Sequence, residues 1–99
     1  MEHCLIIGSG CAGLTAAIYA ARSNMNPLVV GGLMSGGQLM LTSEVENYPG
    51  FASPILGQEL MEAMRKQSER LGVRFLNDQI ERVNFKGHPF SVWTSDAKE

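Results

Sequence analysis

The segment CLIIGSGCAGLTAAIYAARS, which starts at Cys4, constrains this chain more than any other stretch. Cys4 to Ile7 is an apolar run that reads as a buried strand. Three glycines follow, Gly8, Gly10 and Gly13, and then an alanine-rich stretch with helical spacing. In that order each glycine has its own task. Gly8 lets the chain turn sharply off the strand. Gly10 lets backbone approach a pyrophosphate. Gly13 lets the helix pack closely on the strand. The free N–H groups and the positive end of the helix dipole then face the anion. The segment predicts a strand–turn–helix that grips a phosphorylated cofactor, in the manner of dinucleotide sites.

Ninety-nine residues make at most one domain, or part of one. The net charge of -2 supplies no basic field for nucleic acid. Arg65, Lys66 and Arg70 read as a solvated helix face. No charge occurs between Cys4 and Ala21, as in a membrane segment or signal peptide. Glu2 stands where such a signal carries Lys or Arg, however, and glycines interrupt the run. A cytoplasmic protein without a membrane span is expected. Cys4 and Cys11 are too few for a disulfide framework or a metal set. Four strand residues span about 13 Å, too far for a bridge unless the loop doubles back. Cys4 reads as a small core residue. Cys11 reads as a small side chain that fits its turn, with a modifiable thiol at the anion site as the alternative. His3 and His88 have no partner motif and read as surface residues.

The first helix is expected over about Gly13 to Ser23, with Leu14, Ala17, Ile18 and Ala21 at i, i+3, i+4, i+7. Asn24, Asn26 and Pro27 end it. Leu28 to Val30 reads as a second buried strand, parallel to the first through a right-handed crossover. Residues 31–54 show neither a helical nor a strand period. A loop this long inside a compact domain is usually functional. A second helix is expected over about Gly57 to Leu71, with Leu60, Met64, Ser68 and Leu71 inward and Met61 and Met64 as core filler. Glu62 is placed to pair with Arg65 or Lys66, and Gly72 to follow the helix end. Val73 to Leu76 reads as a third strand. Asp78 to Phe85, a turn at Lys86 to His88 and a return strand at Pro89 to Trp93 read as an antiparallel hairpin, with Trp93 in packing. The chain ends at SDAKE with the hairpin edge unpaired, so a truncated domain is expected.

At the level of whole motifs the chain resembles the N-terminal part of the low-molecular-weight thioredoxin reductases. GSGCAGLTAAIYAARS is similar to their FAD pyrophosphate motif. SGGQLMLTSEVENYPGF is similar to their second signature, LGQELMEAMRKQSERLGV to the helix after it, and IERVNFKGHPF to their hairpin. The resemblance implies an α/β, Rossmann-like FAD-binding βαβαβ unit with an antiparallel β-hairpin or meander. Gly8, Ser9, Gly10, Ala12 and Gly13 would cradle the pyrophosphate. Gly36, Gly37 and Gln38 would line the cofactor. Asn47 would approach the flavin, with Thr42, Glu44 and Val45 nearby. A polar loop at the carboxyl ends of parallel strands is also where an α/β sheet binds ligands on general grounds.

Two departures from the pattern stand out. Cys11 replaces a proline, a residue favoured but not required at a first helical position. Gly31 and Gly32 follow the second strand where many dinucleotide folds carry an acid for the ribose, so ribose recognition must come from backbone or elsewhere. By the resemblance, electrons pass from NADPH to FAD, to a CxxC disulfide and to thioredoxin, in a homodimer. The 99 residues contain no CxxC and no second glycine motif for NADPH. No residue here is therefore assigned to catalysis, and residues 1–99 are expected to be the first part of an FAD domain. The alternatives are a related flavoenzyme without that dithiol, such as a ferredoxin–NADP reductase of the same type, the flavoprotein subunit of alkyl hydroperoxide reductase, or a non-catalytic nucleotide-binding module.

Overall fold

The computed structural model describes residues 2–31 and 43–94. Strand β1 (Leu5–Ile7) leads into helix α1 (Cys11–Arg22) and strand β2 (Leu28–Gly31). Two short strands follow, β3 (Glu44–Val45) and β4 (Ile55–Leu56), then helix α2 (Gly57–Arg70). The chain continues through β5 (Arg74–Asn77), β6 (Ile80–Asn84) and β7 (Ser91–Thr94).

The main sheet is parallel in the order β1-β2-β5, with Ile6 opposite Val29 and Val29 opposite Phe75. Two crossovers in the same direction place both helices on one face. The packing agrees. Leu14 of α1 shares a buried cluster with Leu60, Met61 and Met64 of α2 and with Val45 of β3. Ala17 of α1 packs with Val29 and Val73, with Ile6, Ala21 and Phe75 alongside. Phe75 touches both clusters and carries the Arg65 guanidinium 3.8 Å above its ring.

Helix and strand boundaries differ from expectation where local chemistry outweighs period. α1 begins at Cys11, two residues before the expected start, because Gly10 adopts extended backbone and its carbonyl accepts the first helical bond, from Leu14 N–H at 3.0 Å. Asn24 and Asn26, at φ 60° and 50°, reverse the chain after α1, and Gly72, at φ 93°, does so after α2. Met61 and Gly57 join Leu60, Met64 and Ser68 on the buried face of α2. The ion pair on this helix is Arg65–Glu69 at 4.0 Å rather than a pair with Glu62. The hairpin returns as Ser91–Thr94, later than expected. Pro89 lacks the N–H a ladder needs, and the Phe85 and Phe90 rings, 5.2 Å apart, close the loop before pairing resumes. Trp93 stacks under the Arg82 guanidinium at 3.8 Å, in packing as expected.

At the amino ends of the strands, Arg74 ties three segments together. Its guanidinium donates to the Asn26 side chain at 3.1 Å, to the Asn26 carbonyl at 2.7 Å and to the Glu2 carboxylate. The Arg74 hydrogen bond holds the Glu2 carboxyl below its usual value of 4.5.

Candidate cofactor site

The glycine turn lies at the carboxyl end of β1. Gly8 has φ 110°, a backbone that side-chained residues rarely adopt, and its N–H donates to the Val30 carbonyl at 2.8 Å. That bond extends the β1–β2 ladder by one residue before the chain turns. Gly13 sits directly over it. A Cβ at Gly13 would overlap the Gly8 carbonyl oxygen and stand 3.1 Å from the Gly8 carbonyl carbon and 3.5 Å from Ile6 Cγ2. Only a residue without a side chain lets α1 descend this close to β1.

The helix start is prepared for an anion. The N–H groups of Cys11, Ala12 and Gly13 precede the first intrahelical bond and so have no acceptor within α1. Gly10 supplies no side-chain cap, and the first turn carries no acidic residue. The positive end of the helix is thus left to an external anion. Ser9 is buried beside it and engaged in an interaction of its own. A cradle with bare backbone, free N–H groups and no competing carboxylate fits a diphosphate.

Elsewhere the fit is poorer. A surface hollow of about 230 Å³ is lined by Ala21, Asn24, Asn26, Pro27, Leu71 and Gly72. It lies at the amino ends of β2 and β5, beside the carboxyl ends of both helices, where the dipole disfavours phosphate. The described residues hold no group of three or more His, Cys, Asp or Glu arranged for a metal ion. Cys4 and Cys11 are free thiols. No helix among the described residues is long and apolar enough to cross a membrane.

The remaining candidates divide. Gly36, Gly37, Gln38 and Thr42 lie outside the described residues. Val45 is buried in the cluster around Leu14, so its side chain serves packing and its backbone remains for a ligand. Glu44 and Asn47 are exposed. Asn47 stands between Val45 and Tyr48, both packed on the cluster that also holds Cys11. That packing fixes the 44–48 segment to the core beside the first turn of α1. The pairing of β3 with β4, Val45 opposite Ile55, anchors the other side of the same segment. Sequence periodicity missed this arm, because strands of two residues are too short to show one. Gly31 ends β2 with its partner Asn77 ending β5, an alignment that no sequence pattern displayed.

Comparison with known proteins follows the same lines. The family described as pyridine nucleotide-disulphide oxidoreductase matches residues 2–98. The chain is 53% identical over 95 residues to a thioredoxin reductase of Rickettsia bellii (strain RML369-C), covering 96% of this chain and 31% of that protein. It is 51% identical to NADPH-dependent thioredoxin reductase 3 of Arabidopsis thaliana, covering 99% of this chain and 19% of that protein. Among solved structures, thioredoxin reductase of Lactococcus lactis (FR conformation) superposes with a TM-score of 0.90 at 40% identity, covering 97% of this chain and 31% of that one. The chain thus spans about a third or less of the length of these relatives. With the match running through nearly every residue and the glycine cradle in place, the chain belongs to the pyridine nucleotide-disulphide oxidoreductase family.

Proposed function

We propose that residues 1–99 form the first part of the FAD-binding domain of an NADPH-dependent thioredoxin reductase. The observation that carries this reading is the cradle formed by Gly8, Gly10 and Gly13 at the start of α1, in a chain half identical to proteins named thioredoxin reductase. Gly8, Ser9, Gly10, Ala12 and Gly13 hold the pyrophosphate, chiefly through backbone N–H groups. Gly36, Gly37, Gln38, Thr42 and the backbone of Val45 line the cofactor, and Asn47 orients the flavin ring. When bound, FAD would supply the redox chemistry that links NADPH to a disulfide. The residues named above bind and orient it. The reacting dithiol of the CxxC type belongs to another part of the protein, as do the contacts to NADPH and to thioredoxin. The whole protein acts as a homodimer in the cytoplasm.

The test is expression of the open reading frame that encodes the chain, followed by an assay of NADPH-dependent reduction of thioredoxin. Turnover that requires FAD is expected. A protein that binds FAD but contains no CxxC and leaves thioredoxin oxidised overturns the reading in favour of a related flavoenzyme.

A further inference from the structure

Gly31 leaves a gap in the cofactor site. It is the last residue of β2, the place where an acid commonly takes the hydroxyls of the adenosine ribose. With no side chain there, the hydroxyls need another acceptor. The strand register points to one. Gly31 pairs with Asn77, the last residue of β5. The Gly8 N–H bond to the Val30 carbonyl sets Gly8 on the other side of Gly31, since in a parallel ladder an N–H reaches the residue before its partner. Gly8, Gly31 and Asn77 therefore form one row across the carboxyl ends of three adjacent strands.

Alternation fixes the face of that row. Ile6, Val29 and Phe75 lie two residues earlier on the same strands and pack toward α1. Gly31 and Asn77, two residues on within β2 and β5, share their face, which is the face where α1 begins. Two members of the row are glycines, so the row forms a trough in backbone, and Asn77 supplies its only side chain. Asn77 is exposed, and its side chain has no hydrogen-bond partner among the described residues. The next residue, Asp78, is already engaged: its carboxylate accepts from Gln79 N–H at 2.7 Å. A ligand whose diphosphate rested on Gly8 and the start of α1 would have this trough beside it, with Asn77 on the far side of Gly31.

We infer that Asn77 is the ribose-recognition residue of this site, its side-chain amide taking the adenosine hydroxyls in place of the acid that Gly31 lacks. The inference rests on the cofactor reading above. An amide both donates and accepts, so Asn77 can meet a hydroxyl in either sense. An acid on β2 reaches the ribose along its own strand. Here the contact comes from the neighbouring strand, one strand spacing of about 4.8 Å away.

The test titrates ADP, and separately 2′,3′-dideoxy-ADP, into the 99-residue chain and follows the amide NMR signals of the glycine turn. Asn77→Ala is expected to weaken ADP about tenfold and to leave the dideoxy compound unchanged. Asn77→Asp is expected to restore ADP binding, because a carboxylate is the usual ribose acceptor. Equal ADP affinity in wild type and Asn77→Ala overturns the inference and leaves the cofactor reading standing, as does an equal loss of both ligands. A dispersed, folded spectrum that ADP does not perturb overturns the cofactor reading itself, and the inference with it. If the shorter chain does not fold unaided, the same variants are made in the protein encoded by the whole open reading frame. That protein is stripped of flavin and retitrated with FAD and with its adenosine-2′,3′-dideoxy analogue, and the same differences between ligands decide the matter.

Discussion

Gly13 shows how much one missing methyl group decides. A Cβ there would be driven into the Gly8 carbonyl, which is backbone and cannot rotate away. Gly13→Ala must push α1 off β1, and overpacking of this kind costs about 1–3 kcal/mol. Gly87, in the hairpin loop, is the matched control. A Cβ there meets nothing within 4 Å and its φ is not in the left-handed region. Gly87→Ala is expected to stay within about 0.5 kcal/mol of wild type. Urea unfolding of both variants in dilute solution, followed by helix circular dichroism, gives the comparison. Equal midpoints would show that the close approach of α1 is not what Gly13 provides. This requirement was visible in the glycine spacing, because strand, turn and helix are contiguous in the chain. The reason Cys11 is accepted where the family pattern has proline is equally local. It is the first residue of α1, where proline's ring is helpful and no intrahelical N–H bond is lost to it. Asn77 was not visible in the same way. Its partner Gly31 is forty-six positions earlier in the sequence, and only the strand register brings the two side by side.

Helix α2 separates two kinds of buried residue on one face. Leu60 is 1% exposed in the cluster with Leu14 and Val45, and Leu60→Ala leaves a cavity there costing about 2–5 kcal/mol. Ser68 is wholly buried as well, with its hydroxyl donating to the Met64 carbonyl at 2.9 Å one turn back. That carbonyl belongs to the helix ladder, so removing the hydroxyl orphans no acceptor. Ser68→Ala is expected to fall within about 1 kcal/mol of wild type. Urea midpoints for the two variants should therefore differ widely. If Ser68→Ala proves as damaging as Leu60→Ala, the hydroxyl is part of a larger polar network. Both helices and all three parallel strands were legible, because each carries a local period or a bounded apolar run. The β3–β4 arm was not. Two residues per strand give no alternation to read, and the pairing of Val45 with Ile55 is defined by what Val45 packs against. The later start of β7 was hidden for a related reason. Pro89 and Phe90 have strand-like neighbours, but the Phe85–Phe90 ring contact holds them in the loop.

At the scale of the molecule the two faces of the main sheet are unequal. One is covered by α1 and α2. On the other, Ile7 and Leu76 flank buried Val30 in a single row and remain 54% and 40% exposed. The hairpin β6–β7 forms a separate two-stranded sheet with no ladder to β1-β2-β5 among the described residues. Phe85 and Phe90 are exposed at its tip. An isolated two-stranded hairpin has little stability of its own. The molecule is accordingly extended, with a radius of gyration of 14.5 Å and a longest dimension of 46 Å, against about 13 Å expected for a compact domain of this size. Exposed apolar surface of this kind, beside β1, an edge strand among the described residues, favours association. The 99-residue chain is therefore expected to gain apparent mass with concentration in sedimentation velocity. Ile7→Thr with Leu76→Thr places β-branched residues in both strands while removing apolar surface, and this double variant is expected to remain closer to monomer. Association that the two threonines leave unchanged would locate the sticky surface elsewhere, at the β1 edge or the hairpin tip. A wild-type chain that stays monomeric at every concentration and unfolds in one cooperative transition would show that the helix-covered face is sufficient to stabilise this unit alone.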